Sequence, residues 1–191
     1  MIVHLTGSIR SMDEDIMYLR RIIKTIYEND GVLARDWVET AYHRGKVGKI
    51  KDEDVDWQEV FDGNMDAISR ADMVIVEDTS HSFSKGYQTA ISLQQKRPTL
   101  ILSRKSLKGR FISGCKNKLL TLKEYKTEAE LDRVVARFIK DNAIRSKDLR
   151  FNFFIDRPIY NYLRSVSYET GKNKSEVIRE LIEREIKKTQ D

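Results

Sequence analysis

A four-residue segment near the N-terminus has the composition of a phosphate-binding turn. Gly7-Ser8-Ile9-Arg10 lies between an apolar strand pattern and a helix pattern that starts at Ser11. Glycine allows a ligand to approach the backbone, N–H groups at a helix N-terminus attract anions, and Arg10 adds a positive charge. We therefore expect a phosphate group to bind here. The alternative is an ordinary strand–helix turn, in which Gly and Ser are common.

Polar and apolar residues alternate near the C-terminus, between Leu149 and Asp156, with the period of a β-strand. One face of this strand pattern presents Arg150, Asn152 and Phe154. Arg can pair with guanine and Asn with adenine, whereas Phe154 offers only an apolar contact to a thymine methyl group. The pattern predicts a strand with these three side chains on its outer face. The alternative is that Arg150 and Asn152 are only solvated.

Two helix patterns follow this strand. Asp156 before Arg157-Pro158 predicts an N-cap, and Gly171 predicts the end of the first helix. The second helix begins near Lys174 and Ser175, where the amide N–H groups could hold a DNA phosphate. A strand and two helices of about 40 residues bury too little apolar surface to fold alone. We therefore expect a second copy of the chain to complete this core.

This order of elements resembles the ribbon-helix-helix family of dimeric transcription factors. The resemblance covers Arg150 to about Lys188, and its most specific part runs from Gly171 to Ile178. It implies that two strands pair across a dimer and lie in the major groove of double-stranded DNA, where Arg150, Asn152 and Phe154 would read base pairs. The alternative is a dimerisation clip that binds no DNA.

Strand and helix patterns alternate through residues 1 to about 125. Strands are predicted at Ile2–Thr6, Val32–Trp37, Asp72–Glu77 and Thr99–Leu102. A first helix is predicted after the capping box Ser11-x-x-Glu14. Further helices are predicted from about Val55 to Arg70, from Gly86 to about Lys96 and from about Glu128 to Lys140. The alternation predicts an α/β fold with a doubly wound parallel sheet. Ligands of such sheets bind beyond the carboxyl ends of the strands. There we expect Gly7–Arg10, Arg35–Thr40 and Asp78–Gln88 to meet.

Three segments of this region, Gly7–Arg10, Ala71–Thr79 and Ser82–Gln88, resemble the 2′-deoxynucleoside 5′-phosphate N-hydrolases of the nucleoside deoxyribosyltransferase superfamily. The resemblance runs from about residue 2 to 140 and implies a flavodoxin-like sheet, a dimer and a pocket for a nucleoside monophosphate. The residues expected around the nucleotide are Gly7, Ser8, Ile9, Arg10, Asn64, Ser82, Gly86 and Gln88. Trp37 is a candidate for stacking on the base, and the alternative is that it caps the core.

The catalytic residues that the resemblance implies are replaced in this chain. Gln88 stands at the position of the glutamate nucleophile, Asn64 at that of an aspartate and His4 at that of a tyrosine. An amide keeps the shape of a carboxylate but cannot form the ester intermediate. No catalytic residue of the family is therefore intact, and the pattern favours a protein that binds without cutting. Glu77, which the resemblance shares with the enzymes, is the alternative catalytic carboxylate.

The composition of the chain is compatible with binding to nucleic acid. The 191-residue chain has a net charge of +5 and a pI near 9.2, and 34% of its residues are charged. Cys115 is the only cysteine, so no disulfide framework is possible, and a cytoplasmic location is expected. We find no signal peptide, no apolar run that could span a membrane and no metal-ligand spacing. No metal and no cofactor are expected.

These patterns together predict two domains. We expect a nucleotide-binding domain in residues 1–142, a linker in 143–148 and a ribbon-helix-helix domain in 149–191. The resulting hypothesis is a dimeric DNA-binding transcriptional regulator with a catalytically inactive nucleotide sensor. Its partners would be double-stranded DNA, a nucleoside monophosphate and further copies of the chain, as a homodimer or a higher even-numbered oligomer. Two alternatives are an active nucleotide N-glycosidase or deoxyribosyltransferase whose C-terminal module only dimerises, and an antitoxin-like DNA-binding scaffold.

Overall fold

The computed structural model describes residues 1–47, 55–143 and 154–190. The strands are β1 (Ile2–Thr6), β2 (Val32–Leu33), β3 (Met73–Glu77), β4 (Thr99–Ser103) and β5 (Leu120–Glu124). The helices are α1 (Met12–Glu28), α2 (Val38–Val47), α3 (Trp57–Arg70), α4 (Phe83–Gln94), α5 (Glu128–Asn142), α6 (Arg157–Thr170) and α7 (Lys174–Gln190). The chain divides into two compact units, Met1–Arg145 and Ser146–Asp191, which we call the sheet domain and the C-terminal unit.

The sheet domain contains a five-stranded parallel sheet in the order β2-β1-β3-β4-β5. The central strands β3 and β4 are buried along their whole length, as continuous apolar runs in parallel sheets are. The predicted α/β class with a parallel sheet is therefore confirmed. The strand order reverses between β1 and β3, and in open sheets of this kind the ligand site lies at that reversal, beyond the carboxyl ends of the strands.

The two faces of the sheet pack against different helices. Met73 and Ile75 of β3 pack in one core cluster with side chains of α1 and α5. Val74 and Val76 belong to a separate cluster on the other face. Because side chains alternate along a strand, Glu77 at the end of β3 belongs to the α1–α5 face. His4 lies between Val3 and Leu5, which point into the α1–α5 core, so His4 belongs to the opposite face.

Three elements differ from the sequence-based prediction. The second strand ends at Leu33 rather than Trp37, because this edge strand pairs with β1 only at Ile2–Val32 and Val3–Leu33. Helix α2 and strand β5 were not predicted. Strand β5 carries polar residues on one face, while Leu120 and Leu122 on the other pack near Ile101. Because only one face of this edge strand is apolar, its sequence shows only a weak strand pattern.

The predicted capping box at the start of α1 is wrong. Ser11 is the N-cap residue but its side chain makes no capping hydrogen bond. Its hydroxyl lies instead 3.4 Å from the hydroxyl of Ser8, to which it donates. A capping box does occur at α5, where Thr127 and Glu130 bond each other's backbone N–H groups.

The C-terminal unit shows both predicted helices. The Asp156 side chain accepts a hydrogen bond from Ile159 N, and Gly171 ends α6 with a left-handed φ of 69°. The predicted strand is not supported: Phe154 is fully exposed and belongs to no strand. Arg150 and Asn152 lie outside the described residues. The ribbon-helix-helix assignment is therefore unconfirmed. In the described ranges no helix is both long and apolar enough to cross a membrane.

Candidate functional site

The predicted phosphate turn lies at the carboxyl end of β1, where the chain enters α1. Gly7 is needed for packing, because a Cβ atom there would lie 3.0 Å from Leu19 Cδ2. The backbone N–H of Met12 donates to the carbonyl of Ile9 at 3.3 Å and closes the turn. Arg10 is exposed, while the turn before it is half-buried. The structure thus places a helix N-terminus and an exposed cation at the predicted position.

Another part of the predicted ligand site is the loop of residues 78–82, which follows β3. Strand β3 pairs with β1, so this loop starts at the same edge of the sheet as the predicted phosphate turn. Ser82 begins α4 and its hydroxyl accepts a hydrogen bond from Lys85 N at 3.3 Å. The buried Lys85 ammonium donates to the carbonyls of Glu77, at 3.0 Å, and Ser80, and lies 3.3 Å from Asp78 Oδ1. A buried ammonium is tolerated when its donors are all satisfied. Lys85, which sequence reasoning missed, therefore fixes the shape of this loop.

The three residues expected at the catalytic positions form two hydrogen-bonded pairs, His4 with Gln88 and Asn64 with Arg35. His4 Nε2 donates to Gln88 Oε1 at 3.1 Å, and both side chains are buried. Arg35 Nη1 donates to Asn64 Oδ1 at 3.2 Å and to the carbonyl of Val60 at 3.1 Å. The positive charge of Arg35 also contributes to lowering the pKa of His4. We call His4, Gln88, Asn64 and Arg35 the amide cluster.

His4 is a neutral imidazole in this cluster. Burial lowers its pKa, the charge of Arg35 lowers it further, and the hydrogen bond to Gln88 only partly opposes them. Because Nε2 donates to Gln88, Nδ1 is left as a hydrogen-bond acceptor. Within the described part of the chain Nδ1 is buried without a partner. Such an acceptor costs about 1–3 kcal/mol, so the cluster contains unused hydrogen-bonding capacity.

The sequence analysis placed the segment Arg35–Thr40 at the site but did not single out Arg35. A Cβ atom at Gly63 would lie 2.6 Å from Arg35 Nη1, so the glycine makes room for the guanidinium. Glycine inside a helix costs about 1 kcal/mol relative to alanine. The glycine directly before Asn64 in α3 was therefore the sequence feature that could have indicated a side chain packed against this part of the helix. Trp37, by contrast, donates its indole N–H to the carbonyl of Leu5 at 2.7 Å and packs against the core.

Glu77 lies on the other face of the sheet from Gln88. Its carboxylate accepts hydrogen bonds from Thr79 N at 3.3 Å, from the Thr79 hydroxyl and from Tyr125 OH at 3.1 Å. Burial raises its pKa, although the bonds from Thr79 oppose this. A fully buried carboxylate on the α1–α5 face cannot reach a sugar held by the amide cluster. The geometry therefore argues against Glu77 as a substitute nucleophile.

Two other features lie away from these residues. A cavity of about 440 Å³ lies between β5 and α5, and its cationic lining residues are Lys123, Arg133 and Arg137. None of the predicted nucleotide-binding residues lines it. The described ranges contain no group of three or more His, Cys, Asp or Glu side chains able to hold a metal ion. Cys115 is exposed.

Comparison with known proteins gives two informative matches to this part of the chain. A 5-hydroxymethyl-dUMP N-hydrolase from Esox lucius is 24% identical over 142 residues, which cover 72% of this chain and 95% of that protein. The structure of the Clostridium botulinum CMP N-glycosidase BcmB matches with a TM-score of 0.54 and 10% identity, and covers 72% of this chain and 99% of that one. No family model matches the chain.

These matches correct the functional hypothesis drawn from the sequence. Both matched proteins are named as enzymes that act on a nucleotide, so the hypothesis of a DNA-binding regulator with an inactive sensor is wrong. No finding supports DNA contacts at Lys174 or Ser175. The Lys174 ammonium lies 4.6 Å from the centre of the Tyr160 ring, which gives it a partner within its own unit. The sheet domain shares its fold with the CMP N-glycosidase, and both matches are consistent with the resemblance inferred from the sequence.

Proposed function

We propose that the sheet domain binds a nucleoside 5′-monophosphate and hydrolyses its N-glycosidic bond. The observation that carries this proposal is the amide cluster, which brings His4, Asn64 and Gln88 together beside two loops suited to phosphate. A nucleotide N-hydrolase and a nucleotide N-glycosidase that match the same part of the chain support the reaction class.

The phosphate would bind between the loops that follow β1 and β3. Each loop leads directly into the N-terminus of a helix, α1 or α4, whose free N–H groups and dipole favour an anion. Ser8 and Ser82 supply hydroxyl groups, and the exposed Arg10 supplies a charge. A Cβ atom at Gly86 would meet nothing within 4 Å, so the start of α4 leaves space for a ligand.

The amide cluster would bind the sugar. Gln88 and Asn64 each accept a hydrogen bond from the protein through the side-chain oxygen. Their NH2 groups are therefore the parts that can donate to sugar hydroxyls. In hydrolysis the C1′–N bond breaks and its electron pair leaves with the base. The oxygen of one water molecule bonds to C1′, and a proton from that water ends on the base.

Hydrolysis fits these side chains better than transfer of the sugar to a second base. Transfer requires an intermediate that survives until the acceptor base arrives, and in covalent glycosidic catalysis this is an ester of a carboxylate. Gln88 cannot form that ester. Water that adds directly to an oxocarbenium-like sugar needs no such intermediate.

Base release from nucleotides tests the proposal directly. We expect the purified chain to release free base from 5-hydroxymethyl-dUMP or CMP, and to act much more weakly on the matching nucleosides, which lack the phosphate. Chromatography of the freed base measures the rate. Arg10→Ala should raise KM about tenfold or more for the nucleotides, because a hydrogen bond to a charged group contributes about 1.5–3 kcal/mol. A wild-type chain that binds these nucleotides and releases no base would contradict the assigned reaction.

For the C-terminal unit we propose self-association. Its helices bury Leu163 and Val177 but leave a row of large apolar side chains half-exposed: Ile159 at 48%, Tyr162 at 54%, Ile182 at 54% and Ile186 at 51%. A two-helix unit with such a surface gains stability by burying it against an equivalent surface. A second copy of the chain supplies that surface.

Sedimentation of the full chain tests this self-association. Wild type should sediment as a dimer or higher oligomer, and Ile182→Glu should reduce the mass because it places a charge in the apolar contact. Glu183→Gln, at the neighbouring polar position of α7, is the matched control and should behave as wild type. The proposal fails if Ile182→Glu keeps the wild-type mass at every concentration.

A further inference from the structure

Arg104 follows β4 and connects two elements at the carboxyl edge of the sheet. Its backbone N and its Nε both donate to Thr79 Oγ1, at 3.0 and 3.3 Å. Its Nη2 bonds the carboxylate of Asp15, and its Nη1 lies 3.4 Å from the carbonyl of Glu14. One residue therefore joins the loop after β3 to the first turn of α1.

Both ends of this connection are anchored in the protein interior. Asp15 is fully buried, and the Arg104 guanidinium lies 4.2 Å from the centre of the Tyr18 ring. At the other end Thr79 is buried and donates to Glu77 through both its hydroxyl and its N–H. Within the described residues only Oδ1 of Asp15 has a hydrogen-bond partner, the Arg104 guanidinium, so Arg104 is the group that holds this buried carboxylate in place. The connection is therefore suited to fixing the distance between the loop after β3 and the first turn of α1.

The two anchored elements carry the two phosphate loops of the proposed site. Asp15 lies in the first turn of α1, directly after the turn that contains Arg10. Thr79 lies in the loop that ends at Ser82. We propose that Arg104 is a positioning residue that sets the separation of these loops and thereby the affinity for the 5′-phosphate. This inference rests on the proposed function.

A direct contact between Arg104 and phosphate is the competing explanation. Each guanidinium nitrogen of Arg104 already lies near a protein acceptor: Nε near Thr79, Nη1 near Glu14 and Nη2 near Asp15. The two explanations predict opposite effects of Asp15→Asn. If Arg104 positions the loops, loss of its charged partner loosens them and weakens phosphate binding. If Arg104 binds phosphate itself, release from Asp15 leaves binding unchanged or tightens it.

Calorimetric titration of the full chain with CMP and with cytidine tests the inference. We expect Arg104→Ala and Asp15→Asn to weaken CMP binding at least tenfold and to change cytidine binding less than twofold. Arg104→Lys, which keeps the charge but not the forked geometry, should lie between Arg104→Ala and wild type. Arg20→Ala removes a different arginine–carboxylate pair of α1, with Glu39, and should bind both ligands as wild type does.

Hydrogen exchange without ligand provides a second readout. Backbone amides of residues 78–84 should exchange faster in Arg104→Ala and Asp15→Asn than in wild type or Arg20→Ala. Variants that match wild type in CMP affinity and in exchange would overturn the inference, and so would tighter CMP binding by Asp15→Asn. Failure of the proposed function would be seen instead in wild type, which would then bind CMP no better than cytidine.

Discussion

Replacing Gln88 by glutamate is expected to accelerate base release from a nucleoside monophosphate by about 10²-fold or more. A single well-placed stabilising group contributes about 10²–10³-fold to a rate. A carboxylate at this position adds a full negative charge beside the sugar as positive charge develops on it, and it can also form a covalent ester, which an amide cannot. Initial rates of free-base formation at saturating nucleotide measure the effect.

The side chains around Gln88 can accommodate a carboxylate at this position. His4 Nε2 lies 3.1 Å from Gln88 Oε1 and would donate to a glutamate oxygen in the same place. Arg35 supplies a positive charge in the amide cluster. This charge would offset part of the cost of burying the negative charge of a glutamate at position 88. Gln88→Met, which keeps the length of the side chain but removes its polar atoms, is the matched control and should fall below wild type. If Gln88→Glu is no faster than wild type, the amide cluster does not lie at the reacting bond.

Tyr125→Ala is expected to lower the free energy of unfolding of the sheet domain by about 4 kcal/mol, within the range of about 3–5 kcal/mol for removal of a buried aromatic ring. Tyr125 is only 1% exposed and packs in the α1–α5 core, with its ring centre 5.8 Å from that of Tyr18. The variant leaves a cavity and also removes a donor to the buried Glu77 carboxylate. Denaturant unfolding of the full chain, followed at two probes, measures the loss.

Tyr125→Phe separates the two contributions. It keeps the ring and removes the hydroxyl, so it should cost only about 1 kcal/mol, the net value of one hydrogen bond, with more if Glu77 is left poorly satisfied. Burial raises the pKa of the Tyr125 hydroxyl above its ordinary value, so the hydroxyl is protonated at neutral pH and donates to Glu77. Equal losses in Tyr125→Phe and Tyr125→Ala would show that the hydrogen bond, and not the packing, dominates.

Local patterns were sufficient to predict the sheet class and several helix boundaries. The parallel α/β sheet followed from apolar runs that alternate with amphipathic helices. The assignment of His4, Asn64 and Gln88 to catalytic positions came from counting along the chain from nearby motifs, and it stays a prediction. The N-cap at Asp156 and the end of α6 at Gly171 also depend only on neighbouring residues. Such features are decided by backbone chemistry within a few residues, which the sequence displays directly.

The functional hypothesis failed because local similarity was given too much weight at the C-terminus. A strand pattern with polar residues on one face is compatible with DNA binding, but it does not establish a ribbon. The matches to nucleotide enzymes concern the sheet domain and favour catalysis over gene regulation. The substituted carboxylates were read as loss of activity, although an amide excludes the covalent route rather than hydrolysis by water.

Only the tertiary structure decided which side chains act together. Arg35 reaches Asn64 from another element, Lys85 turns back to the loop before α4, and Arg104 joins that loop to α1. The sequence could not assign Glu77 and His4 to opposite faces, because they lie in different strands and only the pairing of β1 with β3 sets the register between them. Sequence spacing sets which residues share a strand or helix turn. Pairing between elements depends on how the helices pack on the sheet, and that packing is fixed by long-range burial of the whole core.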